Sequence, residues 1–377
     1  MTFSYYNPTA IEFGIGKISE ISKHIPQKSN VLFVYGGGSI KKNGIYKQVV
    51  EALKDFNFFE FYGVEPNPSV ETMNKALPIV KDEEIDYILA VGGGSVIDGC
   101  KYLAAAALYE GDAWDFLDGK KQVEKALPIG VVLTLPATGS ESNSLSVVSR
   151  KSTNDKRLFA SDFIHPKFAI LDPSVMTTLD DRQLKNGLVD AFVHTCEQYL
   201  TMPNNSLVHD GYSETILRGL SILMNTWNNK DNDDWRDNLM LLANQALNGF
   251  IGCGVVQDWA THFIGHEITA YYGLDHARSL AVVQPHLLRV MFEDKKDKLE
   301  QMGKNVFGIS DANKVIDKIE TLYNDLGVST KLSDYEVDDK VIENITESLK
   351  KHQMLKLGEN HDITIEKVKQ ILEKSLA

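Results

Sequence analysis

Short apolar runs punctuated by glycine, followed by long stretches of helical periodicity, divide the chain into two parts of different character. In the first part, Val31 to Tyr35 (VLFVY), Tyr87 to Val91 (YILAV), Ile129 to Leu135 and Phe168 to Leu171 are largely unbroken apolar runs of strand length. Such runs fit strands buried on both faces of a sheet. Phe58 to Tyr62 reads as a further strand, and Leu145 to Ser149 with Arg157 to Ala160 as a pair of short ones. Helical patterns intervene at Tyr46 to Lys54, at Ser69 to Lys81 with Ser69 as its cap, and at the alanine-rich Val96 to Tyr109. Strands and helices alternating with few hairpin turns predict a mostly parallel sheet covered on both faces.

After about Thr178 the period changes. Helical patterns run over Gly187 to Leu200, Asp210 to Asn225, Trp235 to Phe250 and Thr261 to Tyr271. They continue at Ala312 to Leu326, Asp338 to Leu349 and Ile365 to Lys374, and no strand is evident among them. The charged stretch Asn228 to Trp235 reads as an exposed loop. The expected organisation is an α/β domain over residues 1–178 and an all-α domain over 179–377, with the boundary near Pro173 to Leu184.

Composition narrows the function classes. The chain has 377 residues, 43% hydrophobic and 24% charged, enough for two domains with cores of their own. A net charge of −13 argues against a nucleic-acid partner. No apolar run approaches the roughly 20 residues that span a bilayer, and the N-terminus lacks a signal-peptide pattern. The three cysteines, Cys100, Cys196 and Cys253, are widely spaced and fit buried thiols in a reducing cytoplasm. Cys196 and Cys253 both fall near the candidate site residues below. A cytoplasmic protein with a small-molecule substrate is the expectation.

Two glycine loops carry the first chemistry. VYGGGSI and AVGGGSV each follow a strand and open towards a helix. Successive glycines let backbone approach a ligand, and free N–H groups at a helix start attract anions. The strict GxGxxG fingerprint is absent. Two loops at strand ends, with Thr134 to Ser140 at a third, favour an extended phosphate-bearing ligand. Asp98 reads as a partner for loop amides, for a ribose hydroxyl, or as a helix cap. After Gly38 come Ser39, Lys41 and Lys42, and no acidic residue occurs from Val31 through Val50. A carboxylate there would bind a ribose 2′-hydroxyl and repel a 2′-phosphate, so its absence suits NADP(H) better than NAD(H).

The second chemistry lies in QDWATHFIGHEITAYYGLDHAR (257–278). His262 and His266 are four apart, so they share a helix face with Cβ atoms about 6 Å apart. Gly273 should end that helix, leaving His276 on a loop just beyond. Upstream, NGLVDAFVHTCEQY places Asp190 and His194 four apart on another helix. One carboxylate and several imidazoles can form a divalent metal site. Spacing alone does not choose between His262 and His266. Trp259, three before His262, would share its helix face.

Taken in order, the two GGGS loops, TLPATGSESN (134–143), NGLVDAFVHTCEQY, QDWATHFIGHE, GLDHA and LGENHDIT (357–364) resemble the iron-containing, or group III, alcohol dehydrogenases. The resemblance covers nearly the whole chain and is nearest to the NADPH-dependent butanol dehydrogenase and broad-specificity aldehyde reductase branch. It implies a dehydroquinate-synthase-like architecture, with a dinucleotide-binding α/β domain, a helical metal domain and a cleft between them. It implies Asp190, His194, His262 and His276 as ligands of one Fe2+ or Zn2+ ion, with His266 near the nicotinamide. It implies Gly37, Gly38 and Ser39 near the adenosine ribose and 2′-phosphate, and Gly93, Gly94, Ser95 and Asp98 along the pyrophosphate and ribose. Thr134, Leu135, Thr138 and Lys156 would help hold the cofactor; Arg150, Lys151 and Lys167 are alternatives to Lys156. The chain departs from the family at Ala277-Arg278-Ser279, where many members have Gly and another small residue.

The implied reaction is reversible hydride transfer between nicotinamide and a primary alcohol or aldehyde such as butanol or butanal. The metal would act as Lewis acid, and the proton would move through His266, a ribose hydroxyl or water, with His266 otherwise a hydrogen-bond partner of the cofactor. A homodimer is implied by the family alone. A glycerol dehydrogenase-like or other polyol dehydrogenase is the alternative within the fold. A metal-dependent hydrolase leaves the paired glycine loops unexplained.

Overall fold

The computed structural model describes residues 2–376. The chain forms two compact units, one of Tyr6–Asp180 with Asp231–Asn244, the other of residues 2–5, Asp181–Lys230 and residues 245–376.

The first unit is built on a six-stranded, all-parallel sheet. Its strands are β1 (Ala10–Phe13), β2 (Asn30–Tyr35), β3 (Asn57–Tyr62), β4 (Tyr87–Gly92), β5 (Ile129–Leu133) and β8 (Phe168–Leu171), in the order β1-β8-β5-β4-β2-β3. The inner strands β4, β5 and β8 are buried at every residue, and β2 at all but its first, which is why they read as continuous apolar runs. The strand β1 is a correction to the sequence reading. It is short, partly exposed and polar at Glu12, and among the described residues it pairs only with β8, so neither alternation nor an apolar run marks it. The expected antiparallel pair is present as β6 (Leu145–Arg150) with β7 (Asp155–Ala160).

Chain order reverses between β2 and β4. From β2 the chain moves outward to β3, then returns to β4 on the other side and proceeds to β5 and β8. Tyr35 pairs with Val91, so both glycine loops leave the sheet side by side at its carboxyl edge. In open α/β sheets this crossover is where ligands bind.

Helices of eight or more residues in this unit include α1 (Ile45–Ala52) and the almost wholly buried α2 (Gly94–Ala106). The helix expected from Ser69 to Lys81 is broken into Val70–Met73, a 3-10 turn at Asn74–Ala76 and Leu77–Asp82. Ser69 does cap the first piece, accepting from Thr72 N, and Pro78, which has no N–H to give, lies in the first turn of the last.

The second unit is helical. It contains α3 (Asp181–Tyr199) and α4 (Leu207–Asn225); the helix α5 (Asp233–Ala246) follows and lies largely in the first unit, where Asn244 donates to Glu141 Oε1 and Ser142 Oγ at 2.8 Å each. Then come α6 (Ala260–Tyr272), α7 (His276–Val290), α8 (Phe292–Met302), α9 (Ala312–Asp325), α10 (Lys340–Lys351) and α11 (Ile365–Leu376). Ile264 and Ile268 of α6 pack with Val282 and Val283 of α7, Ile345 and Leu349 of α10, and Ile371 and Leu372 of α11. That shared core fixes the faces of α6 and α7 that carry histidines. A two-residue ladder, Lys356–Leu357 against Ile363–Thr364, is the strand pairing that the sequence reading of this part did not anticipate. No helix among the described residues is long and apolar enough to cross a membrane.

Candidate functional site

The glycine loops differ in what their missing side chains permit. A Cβ on Gly94, the first residue of α2, would lie 2.5 Å from Thr138 Oγ1, and one on Gly93 would lie 3.0 Å from Leu135 Cβ. Glycine here lets the segment after β5 close upon the helix start. Thr134 N donates to Gly92 O at 3.0 Å, and Ser140 N to Thr138 Oγ1 at 3.2 Å. Ser95 Oγ accepts from Asn67 N at 3.2 Å, and Lys156 Nζ donates to Asn67 Oδ1 at 2.9 Å. Gly93, Gly94, Ser95, Thr134, Leu135, Thr138 and Lys156 thus gather around one helix N-terminus. The linking residue, Asn67, escaped the sequence reading. Its φ is +53°, and its only signal was the Asn67-Pro68 turn dipeptide.

Under this cradle lies a buried polar floor. Lys101, fully buried, donates to Ser140 Oγ and Asn143 Oδ1 at 2.9 Å and to Leu145 O at 2.8 Å. Burial lowers its pKa to about 8 against the opposing pull of Asp98 and Glu141. Asp98 accepts from Ser140 Oγ at 2.5 Å and from Val147 N at 3.0 Å. Both of its carboxylate oxygens therefore hold the loop that walls the cradle.

At the neighbouring loop, a Cβ on Gly37 or Gly38 would meet no atom of the described residues within 4 Å, and Gly38 has φ +94°. Lys41, just past Ser39, sits over the rings of Tyr35, Tyr46 and Tyr62 at 5.2, 4.7 and 5.6 Å. A carboxylate does stand nearby: Glu60 on β3, remote from this loop in sequence. It accepts from the hydroxyls of Tyr35 and Tyr46 at 2.6 Å each and lies 3.9 Å from Lys41 Nζ. Its oxygens are thus turned to the two phenols.

In the helical unit, Asp190 and His194 face inward from α3, His262 from the first turn of α6, and His276 from the start of α7. The Nε2 atoms of His194, His262 and His276 lie 3.6, 3.9 and 3.6 Å from Asp190 Oδ1. Asp190, His194 and His262 form the tightest donor group, all three buried. Donors about 2.1 Å from a tetrahedral ion stand about 3.4 Å apart, so one oxygen and three nitrogens fit a divalent metal after small adjustment. Among the described residues the buried His262 Nε2 has no hydrogen-bond partner, as a ligand atom should. His276 is the most accessible of the four, with 23% of its side chain exposed against 4% for Asp190, so the cluster opens on the His276 side.

His276 is not on a loop as expected. Gly273 ends α6 in the left-handed region (φ +67°), and α7 restarts at His276 itself. His266 is half-buried one turn along from His262, its ring 6.0 Å from that of His262 and 5.0 Å from that of His276. Trp259 does not share the helix face. It precedes α6 in a left-handed conformation (φ +63°), with its indole N–H donating to Gln257 Oε1 at 2.7 Å and its ring edge-on to His194 and His262. A bulky residue held there is strained, and such strain gathers at functional sites.

Glu197 was also missed, although it lies in the quoted NGLVDAFVHTCEQY stretch. Its carboxylate accepts from Thr261 N at 2.6 Å, His262 N at 3.4 Å and His262 Nδ1. Cys100 and Cys196 are buried, Cys253 half-buried, and all three are free thiols.

An all-parallel sheet with glycine loops at its crossover, and a helical unit with an inward cluster of one aspartate and three histidines, define a metal-assisted dinucleotide oxidoreductase architecture. The chain belongs to the iron-containing alcohol dehydrogenase family, whose profiles match residues 8–173 ("Iron-containing alcohol dehydrogenase") and 185–376 ("Fe-containing alcohol dehydrogenase family, C-terminal"). It is 46% identical to the NADPH-dependent aldehyde reductase YqhD of Escherichia coli, over 98% of each chain. It is 36% identical to NADH-dependent butanol dehydrogenase A of Clostridium acetobutylicum over the whole of both. The crystal structure of E. coli YqhD superposes with a TM-score of 0.97, covering 99% of this chain and 98% of that one.

Proposed function

We propose that this protein is a metal- and NADP(H)-dependent alcohol dehydrogenase and aldehyde reductase acting on primary alcohols and aldehydes of the butanol/butanal kind. The observation that carries this reading is the convergence of three imidazole Nε2 atoms on Asp190 Oδ1, in a chain that also sets two glycine loops at the crossover of a parallel sheet. Asp190, His194, His262 and His276 would hold one Fe2+ or Zn2+ ion. Such an ion supplies Lewis acidity toward a carbonyl or alcohol oxygen. The N-terminus of α2 and the Thr134–Thr138 segment bind the pyrophosphate, and Lys156 and Asp98 secure that cradle from the side and below. His266 carries a proton to or from the reacting oxygen through its imidazole. Relatives are named for both nucleotides. Capture of Glu60 by two tyrosines, with Lys41 beside Ser39, supports NADP(H) here.

A homodimer in the cytoplasm completes the proposal, supported by the exposed edge strand β1 and three free thiols. The test is NADPH oxidation followed at 340 nm with butanal, repeated with NADH and with chelator-treated protein. Faster NADH than NADPH turnover would reject the nucleotide assignment, and full activity in metal-free protein would reject the metal.

A further inference from the structure

We infer that Glu197 is a positioning residue for the metal centre, setting both the tautomer of His262 and the net charge of the site; this rests on the reading that the cluster of Asp190 and three histidines holds a divalent ion. Glu197 lies on α3 at i+7 from Asp190 and i+3 from His194, so all three share one helix face. It is buried, and it spans to α6 across 65 positions of sequence. One oxygen takes the amides of Thr261 and His262, which are otherwise unpaired at the start of α6, where the capping position Trp259 offers no side-chain hydrogen bond. The other oxygen takes His262 Nδ1.

The second contact decides the chemistry. With Nδ1 donating to Glu197, the neutral ring of His262 carries its lone pair on Nε2, the atom that faces Asp190 Oδ1. A carboxylate behind a ligand imidazole also raises its basicity and locks the ring. Charge points the same way. A buried dication with three neutral imidazoles and Asp190 alone would carry one uncompensated positive charge, and Glu197 cancels it. Two amides at the start of α6 also stabilise the Glu197 carboxylate.

Asp258 braces the arrangement. Its N–H donates to Glu197 O at 3.0 Å, its Oδ1 accepts from Ala260 N at 2.8 Å, and its Oδ2 accepts from the buried Lys295 at 2.6 Å. The backbone on both sides of the Glu197–His262 contact is therefore fixed independently of that contact.

The experiment titrates metal-free protein with Zn2+ against a chromophoric chelator for the unmodified chain, Glu197→Gln and Glu197→Asp, and records the melting temperature of each metal-free form. Glu197→Gln keeps an oxygen for the Thr261 amide but loses the charge and the acceptor for Nδ1. It should weaken Zn2+ binding about 10- to 100-fold, with a metal-free melting temperature close to that of the unmodified protein. Glu197→Asp, which keeps the charge, should recover part of that affinity and serves alone if the Gln variant does not fold. Unchanged Zn2+ affinity in both variants, with unmodified protein binding one equivalent, overturns the inference and leaves the metal site standing. Loss of metal-free stability with unchanged affinity reduces Glu197 to a helix cap. Failure of the unmodified protein to bind Zn2+ overturns the metal reading and this inference with it.

Discussion

His276 Nε2 lies 3.6 Å from Asp190 Oδ1, although the first residue opens α7 and the second is buried within α3. The contact closes the donor set on its accessible side. His276→Ala should therefore lose bound metal and activity while the helix core around Ile264 and Val283 remains intact, since that core uses other faces of α6 and α7. Metal content by elemental analysis, with far-UV circular dichroism as the folding control, checks this. Full occupancy in the variant would remove His276 from the ligand set.

The loop after β2 should decide the nucleotide. Gly38→Asp adds a carboxylate at a position where a Cβ would meet no described atom within 4 Å, and the position has φ +94°. Backbone strain of about 1 kcal/mol comes with any side chain there, so Gly38→Ala is the matched control. Relative to that control, the Asp variant should shift kcat/KM towards NADH through repulsion of the 2′-phosphate. Equal ratios in the two variants would mean that this loop does not face the phosphate.

The loop after β4 works by closeness. A methyl group on Gly94 would meet Thr138 Oγ1 at 2.5 Å and Thr138 Cγ2 at 2.6 Å, forcing the Thr134–Thr138 segment away from the helix start. Displacement of about 1 Å in a positioning element costs on the order of 10²-fold in rate. Gly94→Ala should lose about that much in kcat/KM for NADPH while keeping its metal. Wild-type kinetics in this variant would show the contact to be incidental.

Legibility followed burial and sequence distance. The inner strands announced themselves because both faces are buried, whereas β1, short and at the edge, carries no pattern. Gly273 was readable as a stop. The restart at His276 was not, because Asp275 makes no capping bond and turns instead to Asn186 at 3.0 Å. Asp190, His194 and His262 were visible as helical pairs. Glu197, Asn67 and Glu60 were not singled out, since each acquires its role only from a partner brought close by folding.

A third buried cluster gives a pH dependence. Lys295 Nζ is shared between Asp258 Oδ2 at 2.6 Å and Glu359 at 2.6 and 2.8 Å. Two carboxylates compete for one ammonium. Burial, then the neighbouring Asp258 charge, raises the Glu359 pKa to about 7 against the pull of Lys295. A carboxyl raised above its unfolded value of about 4.3 contributes stability that is complete below that value. The contribution is lost as pH rises through about 7. Glu359→Gln should therefore flatten the fall in melting temperature between about pH 5 and pH 8. An identical pH profile in the variant would show that Glu359 is not the titrating group.

His266 is the residue where spacing and chemistry diverge. It follows His262 by one turn, and its ring lies 5.0 Å from that of His276, so by proximity alone it could be a ligand. The tight donor group, however, is Asp190, His194 and His262, and His276 reaches the same carboxylate oxygen. Those four groups suffice for a divalent ion, and a fifth would occupy the position that a catalytic metal must leave for substrate. A half-buried imidazole beside such a site is instead placed to pass a proton to or from the reacting oxygen. His266→Ala should keep most of its metal and lose about 10²-fold in turnover, with a flatter pH–rate profile around neutrality. Metal loss as complete as in His262→Ala would make His266 a ligand. Retained metal with unchanged rate and pH profile would leave it only a packing role against His276.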